Sequence, residues 1–214
     1  MAPSEHYQYV IATESDREPL RQALVSYFYS EEPLTLSHRD GPCVTEDDME
    51  NSMSFLAGGT ITLARTRSQG ELVGFAIGGP STAVVNVPIR TRKLADIVAF
   101  LELLGKRSSG VVAQPAYNIH MLAVHPAHRG HSIGRRLVEQ QIALVRNRWP
   151  SMQSVTVEAT SATPLRLMER LGMRETARLS FAEYRDAGGQ VVFYGTGEVV
   201  ALEMKLLLGE RIQA

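Results

Sequence analysis

The sequence predicts a single α/β domain in which a mixed sheet carries helices on both faces. The chain has 214 residues, a usual length for one α/β domain, so residues 1–214 are assigned to one core. Its patterns predict, in order, a strand, two helices, a hairpin, a helix, a strand, a helix, a strand, a helix and two strands. Within this order, Tyr117 to Val124 is a nearly continuous apolar run, as expected for a strand in the middle of a sheet.

The chain is predicted to begin with a strand from Tyr7 to Thr13, followed by a helix. Ser15 and Glu18 have the spacing of a capping box, in which each side chain satisfies a free amide of the first helical turn. The helical pattern stops at Glu32, because Pro33 disfavours helical geometry in the residue before it.

A second helix is predicted to begin at Thr45 and to be broken by the glycine pair at 58 and 59. Thr60 to Thr66 and Leu72 to Gly78 are then expected to form an antiparallel hairpin across a polar turn.

The remaining elements follow from apolar periodicity and from glycine and proline. An amphipathic helix is expected to end at Gly105, and a glycine-containing turn leads into a helix from about 134 to 148. Thr163 is expected to cap the last helix, with Pro164 at its first position. The predicted C-terminal strands are Val155 to Ala159, Leu179 to Arg185 and Val199 to Leu206.

Composition argues against several classes of function. The formal net charge is -1, so no global field would recruit nucleic acid, and no apolar stretch approaches the length of a membrane helix. Cys43 is the only cysteine and the amino terminus lacks a secretory pattern, which together predict a cytoplasmic protein.

Charges are nevertheless divided along the sequence, which suits a polyanionic cofactor and a cationic substrate. The basic cluster consists of Arg129, His131, Arg135 and Arg136, and the acidic cluster of Glu31, Glu32, Glu46, Asp47, Asp48 and Glu50.

The most informative segment runs from His120 to Leu137, where a buried strand enters a tight turn and then a helix. The unpaired amides of such a turn and of the first helical turn converge, with the positive end of the helix dipole behind them. Gly130 and Gly134 would allow a phosphate to approach the backbone closely. On spacing alone, the segment is either an anion site or a simple connection between strand and helix.

This segment resembles the acetyl-CoA signature of GNAT acyltransferases, Q/R-x-x-G-x-G/A. Arg129 and Gly134 match the signature, and Ser132 stands where its middle glycine would be. Leu167 to Met173 is similar to a helix end of the same superfamily. Glu31 to Leu34 and Tyr184 to Phe193 look like the insect arylalkylamine N-acetyltransferase branch, whose substrates include arylalkylamines and, in one subgroup, the guanidino amine agmatine.

The resemblance implies the GNAT fold, with a mostly antiparallel twisted sheet, and acetyl-CoA as cosubstrate without a metal. It implies a small-molecule amine as the second substrate and leaves open which amine is used and the oligomeric state. It also implies that Glu32 is the general base and, together with the acidic character of the pair, that Glu31 assists amine binding. The cofactor residues that it implies are Leu122, Ala123, Val124, Arg129, Gly130, His131, Ser132, Ile133, Gly134 and Arg135.

The group that protonates the departing thiolate is less clearly indicated. Many GNAT enzymes have a tyrosine where this chain has Met168, and methionine cannot donate a proton. Ser161 is the first substitute, followed by Thr163 and Tyr184, whose alternative roles are a loop hydroxyl, a helix cap and a strand surface residue.

Alternatives to these assignments stay open at this point. Glu32 could be a solvated loop carboxylate, and the histidines at 120, 125, 128 and 131 could suggest zinc, although the turn breaks any regular ligand face. The chain could instead acetylate a protein lysine or amino terminus, or it could be a non-catalytic acyl-CoA-binding module.

Overall fold

The computed structural model describes residues 6–82 and 85–206, and these residues form a seven-stranded sheet with six α-helices. The strands are β1 (Tyr7–Ile11), β2 (Ile61–Thr66), β3 (Leu72–Pro80), β4 (Ala116–Val124), β5 (Ser154–Ala159), β6 (Arg174–Ser180) and β7 (Glu198–Lys205). The helices are α1 (Arg17–Ala23), α2 (Pro33–Ser37), α3 (Glu46–Ser54), α4 (Arg92–Arg107), α5 (Ile133–Arg148) and α6 (Ala162–Arg170).

The sheet has the strand order β1-β2-β3-β4-β5-β7-β6. Only β4 and β5 pair in parallel, and the other neighbouring strands are antiparallel. The prediction of a mixed, mostly antiparallel sheet is therefore confirmed, as are the hairpin of β2 and β3 and the start of α3 after Thr45.

Helices cover both faces because side chains alternate along each strand. Leu63 and Phe75 pack on one face with α1 and α3, whereas Ala64 and Ala76 pack on the other face with Leu137 of α5. Further along the sheet, α5 and α6 cover β4 and β5, and α4 packs on β6 and β7 from the opposite side.

Strands β4 and β5 separate in the middle of the sheet. Their pairing runs from Ala116 with Ser154 to Ile119 with Val157, while β4 continues to Val124 paired with β3 alone. The separation leaves a gap at the carboxyl ends of the two parallel strands, which is where ligands bind in open α/β sheets.

The amino-terminal elements differ from the predictions in two ways. The capping interaction lies earlier than expected, since the Thr13 amide donates to the Asp16 carboxylate at 2.7 Å and Ser15 does not cap the helix. Glu32 was predicted at the end of a helix beside a proline bend, but it is the N-cap of α2, a five-residue helix with Pro33 at its first position. Proline disfavours helical geometry in the residue before it and favours the start of a helix at its own position. The sequence therefore contained signals for both the end of one helix and the start of the next.

Three further boundaries were also predicted wrongly. Helix α4 continues through Gly105 to Arg107. Ser161 rather than Thr163 occupies the N-cap position of α6. The sixth strand ends at Ser180, so Tyr184 is not a strand surface residue but lies in the core against Phe100, 5.1 Å between ring centroids.

Candidate active site

A long cleft of about 770 Å³ follows the gap between β4 and β5. It is bounded by the end of β4, the turn after it, the first turn of α5 and the start of α6. Its basic lining residues are Arg129, Arg135, Arg166 and Arg170. The last two come from α6, and the sequence interpretation missed them because only the packing of α6 beside the gap brings them to the cleft.

The turn before α5 directs free amides into this cleft. Gly130 and Ser132 both have left-handed backbone angles, with φ of +82° and +61°. Ser132 is the only non-glycine residue with a positive φ in the described part of the chain. The first helical bond joins the Arg136 amide to the Ser132 carbonyl at 3.1 Å, which leaves the amides of Ile133, Gly134 and Arg135 without a partner inside the helix.

The free edge of β4 forms the opposite wall of the cleft. The His125 amide donates to Val73 of β3 at 2.9 Å, and bonded pairs alternate along antiparallel strands. The backbone groups of Ala123 therefore also face β3, whereas those of Leu122 and Val124 face the gap. In agreement, the Val124 carbonyl accepts a hydrogen bond from Arg129 Nε at 3.1 Å.

The remaining residues predicted to bind cofactor do not all lie in the cleft. Gly134 lines it, and a Cβ atom there would be 3.4 Å from Leu167 of α6. His131 is not among the lining residues, because its ring lies beside that of Tyr7, 6.1 Å between centroids. Glu31 lines the cleft and pairs with Arg129 at 2.8 Å, with both side chains about half exposed.

A smaller cavity of about 160 Å³, here called the acceptor pocket, adjoins the cleft on the side of α3 and α4. Most of its lining is apolar, including Phe28, Phe55, Ile97 and Met121. Its acidic lining residues are Glu32, Asp48 and Glu158, and the described lining contains no lysine or arginine. The cleft and the acceptor pocket share Phe28, Glu32, Leu122, Thr160 and Pro164.

Glu32 thus lies where the two cavities meet, and only one of its carboxylate oxygens is satisfied. Oε2 accepts the Thr35 amide at 2.7 Å, as an N-cap does, while Oε1 is buried without a hydrogen-bond partner. Burial raises the pKa of Glu32, and interactions with the first turn of α2 and with the Thr160 side chain offset only part of this effect.

Lys93 of α4 holds the helix that carries Glu32. Its buried ammonium donates to the backbone carbonyls of Thr35, Gly41 and Cys43 at 2.7 to 3.0 Å. Burial lowers the pKa of Lys93, opposed by nearby carboxylates that include Asp48 and Glu32. The lysine therefore fixes α2 against α4 and places a cation near the candidate base.

The candidate proton donors are divided between cleft and core. Ser161 and Thr163 are exposed and line the cleft, and the Ser161 hydroxyl makes no capping bond despite its N-cap position. Tyr184 lies outside the cleft in the core, and Met168 is fully buried beside the acceptor pocket. Thr160, which the sequence did not single out, reaches both cavities from the end of β5.

His120 is the histidine in the lining of the acceptor pocket. Burial lowers its pKa to about 4, so the ring is neutral at physiological pH. Among the residues that the structure describes, no group of three or more histidine, cysteine, aspartate or glutamate side chains could hold a metal ion. The helices in those ranges include none with the length and apolarity needed to span a membrane.

Comparison with known proteins identifies this arrangement. The model of the family described as Acetyltransferase (GNAT) family matches residues 18–173. The chain is similar to the crystal structure of mosquito arylalkylamine N-acetyltransferase like 5b, with 28% identity, a TM-score of 0.85, and coverage of 94% of this chain and 100% of the other. A comparison with curated proteins gives no match.

Two further solved structures show the same fold. One is the Drosophila melanogaster polyamine N-acetyltransferase that catalyses the formation of N-acetylagmatine, with 25% identity and a TM-score of 0.80. The other is the apo form of an agmatine N-acetyltransferase mutant, with 24% identity and a TM-score of 0.81. In both comparisons, 94% of this chain and 100% of the other chain are covered.

Proposed function

This chain belongs to the acetyltransferase (GNAT) family, and we propose that it transfers the acetyl group of acetyl-CoA to the primary amine of a small molecule. The observation that carries the proposal is the position of Glu32. Its buried carboxylate borders both the basic cleft and the acidic acceptor pocket. A thioester in the cleft and an amine in the pocket would therefore meet beside it.

The cleft fits acetyl-CoA in charge and in hydrogen bonding. The free amides of Ile133, Gly134 and Arg135 suit a pyrophosphate at the positive end of α5. The exposed edge of β4 at Leu122 offers backbone groups to the pantetheine arm. When bound there, acetyl-CoA supplies the thioester whose acyl group is transferred.

Glu32 is assigned as the general base. An alkylamine with a pKa near that of lysine, ~10.4, is almost wholly protonated at neutral pH and cannot attack until it loses a proton. Because burial raises the pKa of Glu32, its carboxylate is a stronger proton acceptor than an exposed glutamate. The unpartnered Oε1 is the atom free to accept that proton, directly or through one water.

Ser161 is assigned as the donor to the departing thiolate, and the second proton that the nitrogen loses as the amide forms replaces the one that the hydroxyl gives up. A thiol has a pKa of ~8.5, so the thiolate needs only modest help to leave. The Ser161 hydroxyl lines the cleft and makes no capping bond, which leaves it available for this role. We also propose that Glu31 attracts the amine from its position at the rim of the cleft beside Arg129.

Two observations support a small amine as the acceptor. The acceptor pocket is only about 160 Å³, and its charged lining is acidic. The chain is similar over 94% of its length to enzymes named for arylalkylamines and for polyamine or agmatine acetylation. A small aliphatic or arylalkyl cation fits both the volume and the charge.

A steady-state assay of free thiol release tests the proposal across primary amines and lysine-containing peptides. We expect turnover with small amines, and a matched Glu169→Gln variant, altered at an exposed glutamate outside both cavities, should behave as wild type. Turnover with peptides alone would assign a protein acetyltransferase. Binding of CoA without turnover of any acceptor would assign a non-catalytic acyl-CoA-binding module.

A further inference from the structure

A second carboxylate, that of the partly buried Glu158 of β5, has no part in the chemistry assigned to Glu32. It borders the acceptor pocket and also a third cavity of about 330 Å³ beside α4. Both of its oxygens receive hydrogen bonds from a single donor, Asn118 Nδ2, at 3.0 and 2.8 Å. Burial raises the pKa of Glu158, which reflects how little protein hydrogen bonding compensates the loss of water.

Two neighbouring polar atoms are buried and entirely unpartnered. One is Oδ1 of Asn118, a residue with only 5% of its surface exposed, and the other is Nε2 of His120. The orientation of the Asn118 amide is fixed, because its nitrogen must donate to Glu158 and to Thr156. We call Glu158, Asn118 and His120 the acceptor triad. Together they present a surplus of hydrogen-bond acceptors, and they have no free donor other than the His120 ring.

Local backbone geometry brings the acceptor triad together. Val155 and Val157 pack against α5 and α6, so Glu158 projects to the opposite face, toward α4. On β4, Gly78 pairs with Ile119 but the adjacent Ile77 pairs with Met121, which makes His120 the extra residue of a β-bulge. Such bulges redirect side chains beside functional sites.

Charge around the acceptor triad is uniformly acidic. The third cavity contributes Glu102 of α4 in addition to Glu158, and its described lining contains no lysine or arginine. The buried ammonium of Lys93 lines neither cavity and donates to three backbone carbonyls. No protein cation in the described lining of either cavity therefore neutralises Glu158.

We infer that the acceptor triad binds a second cationic group on the amine substrate, so that the enzyme prefers guanidino amines and diamines to amines with neutral tails. The inference rests on the proposed function, which identifies the primary amine beside Glu32 as the reacting end of the substrate. Thr160 lies beside Glu32, and Glu158 is two residues back along β5, or ~7 Å at the usual rise per residue. A chain of a few methylene groups would span that separation.

The hydrogen-bonding inventory favours a cation over a phenol or catechol. A guanidinium carries five donors and an ammonium three, and neither has an acceptor, whereas each phenolic hydroxyl brings one donor together with an acceptor. A cation also neutralises the Glu158 carboxylate, which a neutral hydroxyl does not. The aromatic residues Phe28 and Phe55 would then line the methylene chain between the two charged ends.

The test compares agmatine with n-butylamine, which has the same primary amine and four-carbon chain but a neutral end. We expect wild-type kcat/KM to favour agmatine by about ten-fold to a hundred-fold, the usual effect of one charge-assisted hydrogen-bonded pair. Glu158→Gln keeps the side-chain volume and an acceptor for Asn118, and it should reduce this ratio by a similar factor. The matched Glu169→Gln variant should keep the wild-type ratio.

Calorimetry of agmatine with the cofactor-free protein provides a readout that does not depend on turnover. We expect weaker agmatine binding in Glu158→Gln than in wild type, with thermal melting used to verify folding, and Glu158→Asp should retain part of the affinity. If wild type acetylates no amine, the proposed function fails while the calorimetry still decides whether the acceptor triad binds agmatine. An agmatine to n-butylamine ratio near one, or a ratio and affinity unchanged by Glu158→Gln, would overturn the inference.

Discussion

Replacement of Gly134 tests whether the first turn of α5 binds the cofactor. A Cβ atom at this position would lie 3.4 Å from Leu167 Cδ2 and 3.8 Å from Val124 Cγ2, which are ordinary contact distances. Alanine therefore fits without displacement. The two γ carbons of valine extend ~1.5 Å further and have little rotational freedom in a helix, so they must press on Leu167 or enter the cleft.

The magnitude follows from the hydrogen bonds at stake. Three amides lack helical partners at this turn, and a hydrogen bond to a charged group is worth ~1.5–3 kcal/mol. Loss of one such bond in Gly134→Val should weaken CoA binding by about ten-fold to a hundred-fold.

Isothermal calorimetry with CoA measures this loss, and KM for the amine should change less. Gly134→Ala serves as the matched control and should bind CoA nearly as wild type does. Equal CoA affinity in wild type and in a folded Gly134→Val variant would refute the assignment of the cofactor to this turn.

Two further predictions concern stability. Ser132 has a left-handed backbone conformation, which is unfavourable for a residue with a side chain. Ser132→Gly should therefore raise the free energy of unfolding, measured by urea denaturation, by roughly 1 kcal/mol. A loss of stability would contradict this reasoning. Hydrogen bonds from Thr45 and from residues 90 and 91 hold the pKa of the buried Asp47 well below its usual range. The ionised Asp47 therefore stabilises the folded state above pH ~4, and this stabilisation is lost as the pH falls through the depressed pKa. Asp47→Asn should cost ~1.5–3 kcal/mol at pH 7 and flatten the acid limb of the stability profile, and a parallel limb in wild type and variant would show that Asp47 does not cause it.

The turn and helix start that we propose as the cofactor site could be predicted from the sequence because they are local. Arg129, Ser132 and Gly134 are consecutive parts of one turn and helix start, so spacing alone places their amides together. The same holds for the capping of α3 by Thr45, where both partners lie within three residues. Arg166 and Arg170 were missed because they reach the cleft only through the packing of a separate helix.

The acceptor pocket could be predicted only in part because distant segments build it. Glu158 appeared in the sequence as one residue of a short strand, and nothing local showed that β4 and β5 separate beside it. Side chains alternate between the two faces of β4, and the bulge at His120 shifts this alternation by one residue. A period-two sequence pattern therefore cannot assign the His120 side chain to a face of the sheet. Helix α2, at five residues, is too short to show an apolar period, which is why Glu32 was predicted at the end of the preceding helix and not at the start of a new one.

The pH dependence of acetyl transfer in wild type and in Glu32→Gln is the most direct test of the account. Glutamine preserves the side-chain volume but cannot accept the proton, so kcat should fall ~10²–10⁴-fold while CoA affinity is retained. In wild type, kcat/KM should rise with pH through a pKa above the ~4.3 of a free glutamate, because burial raises the pKa of Glu32 and the base acts only when ionised. This limb should disappear or move in the variant. A Glu32→Gln enzyme with near-normal turnover and an unchanged limb would contradict the central claim and assign the proton to another group or to bulk water.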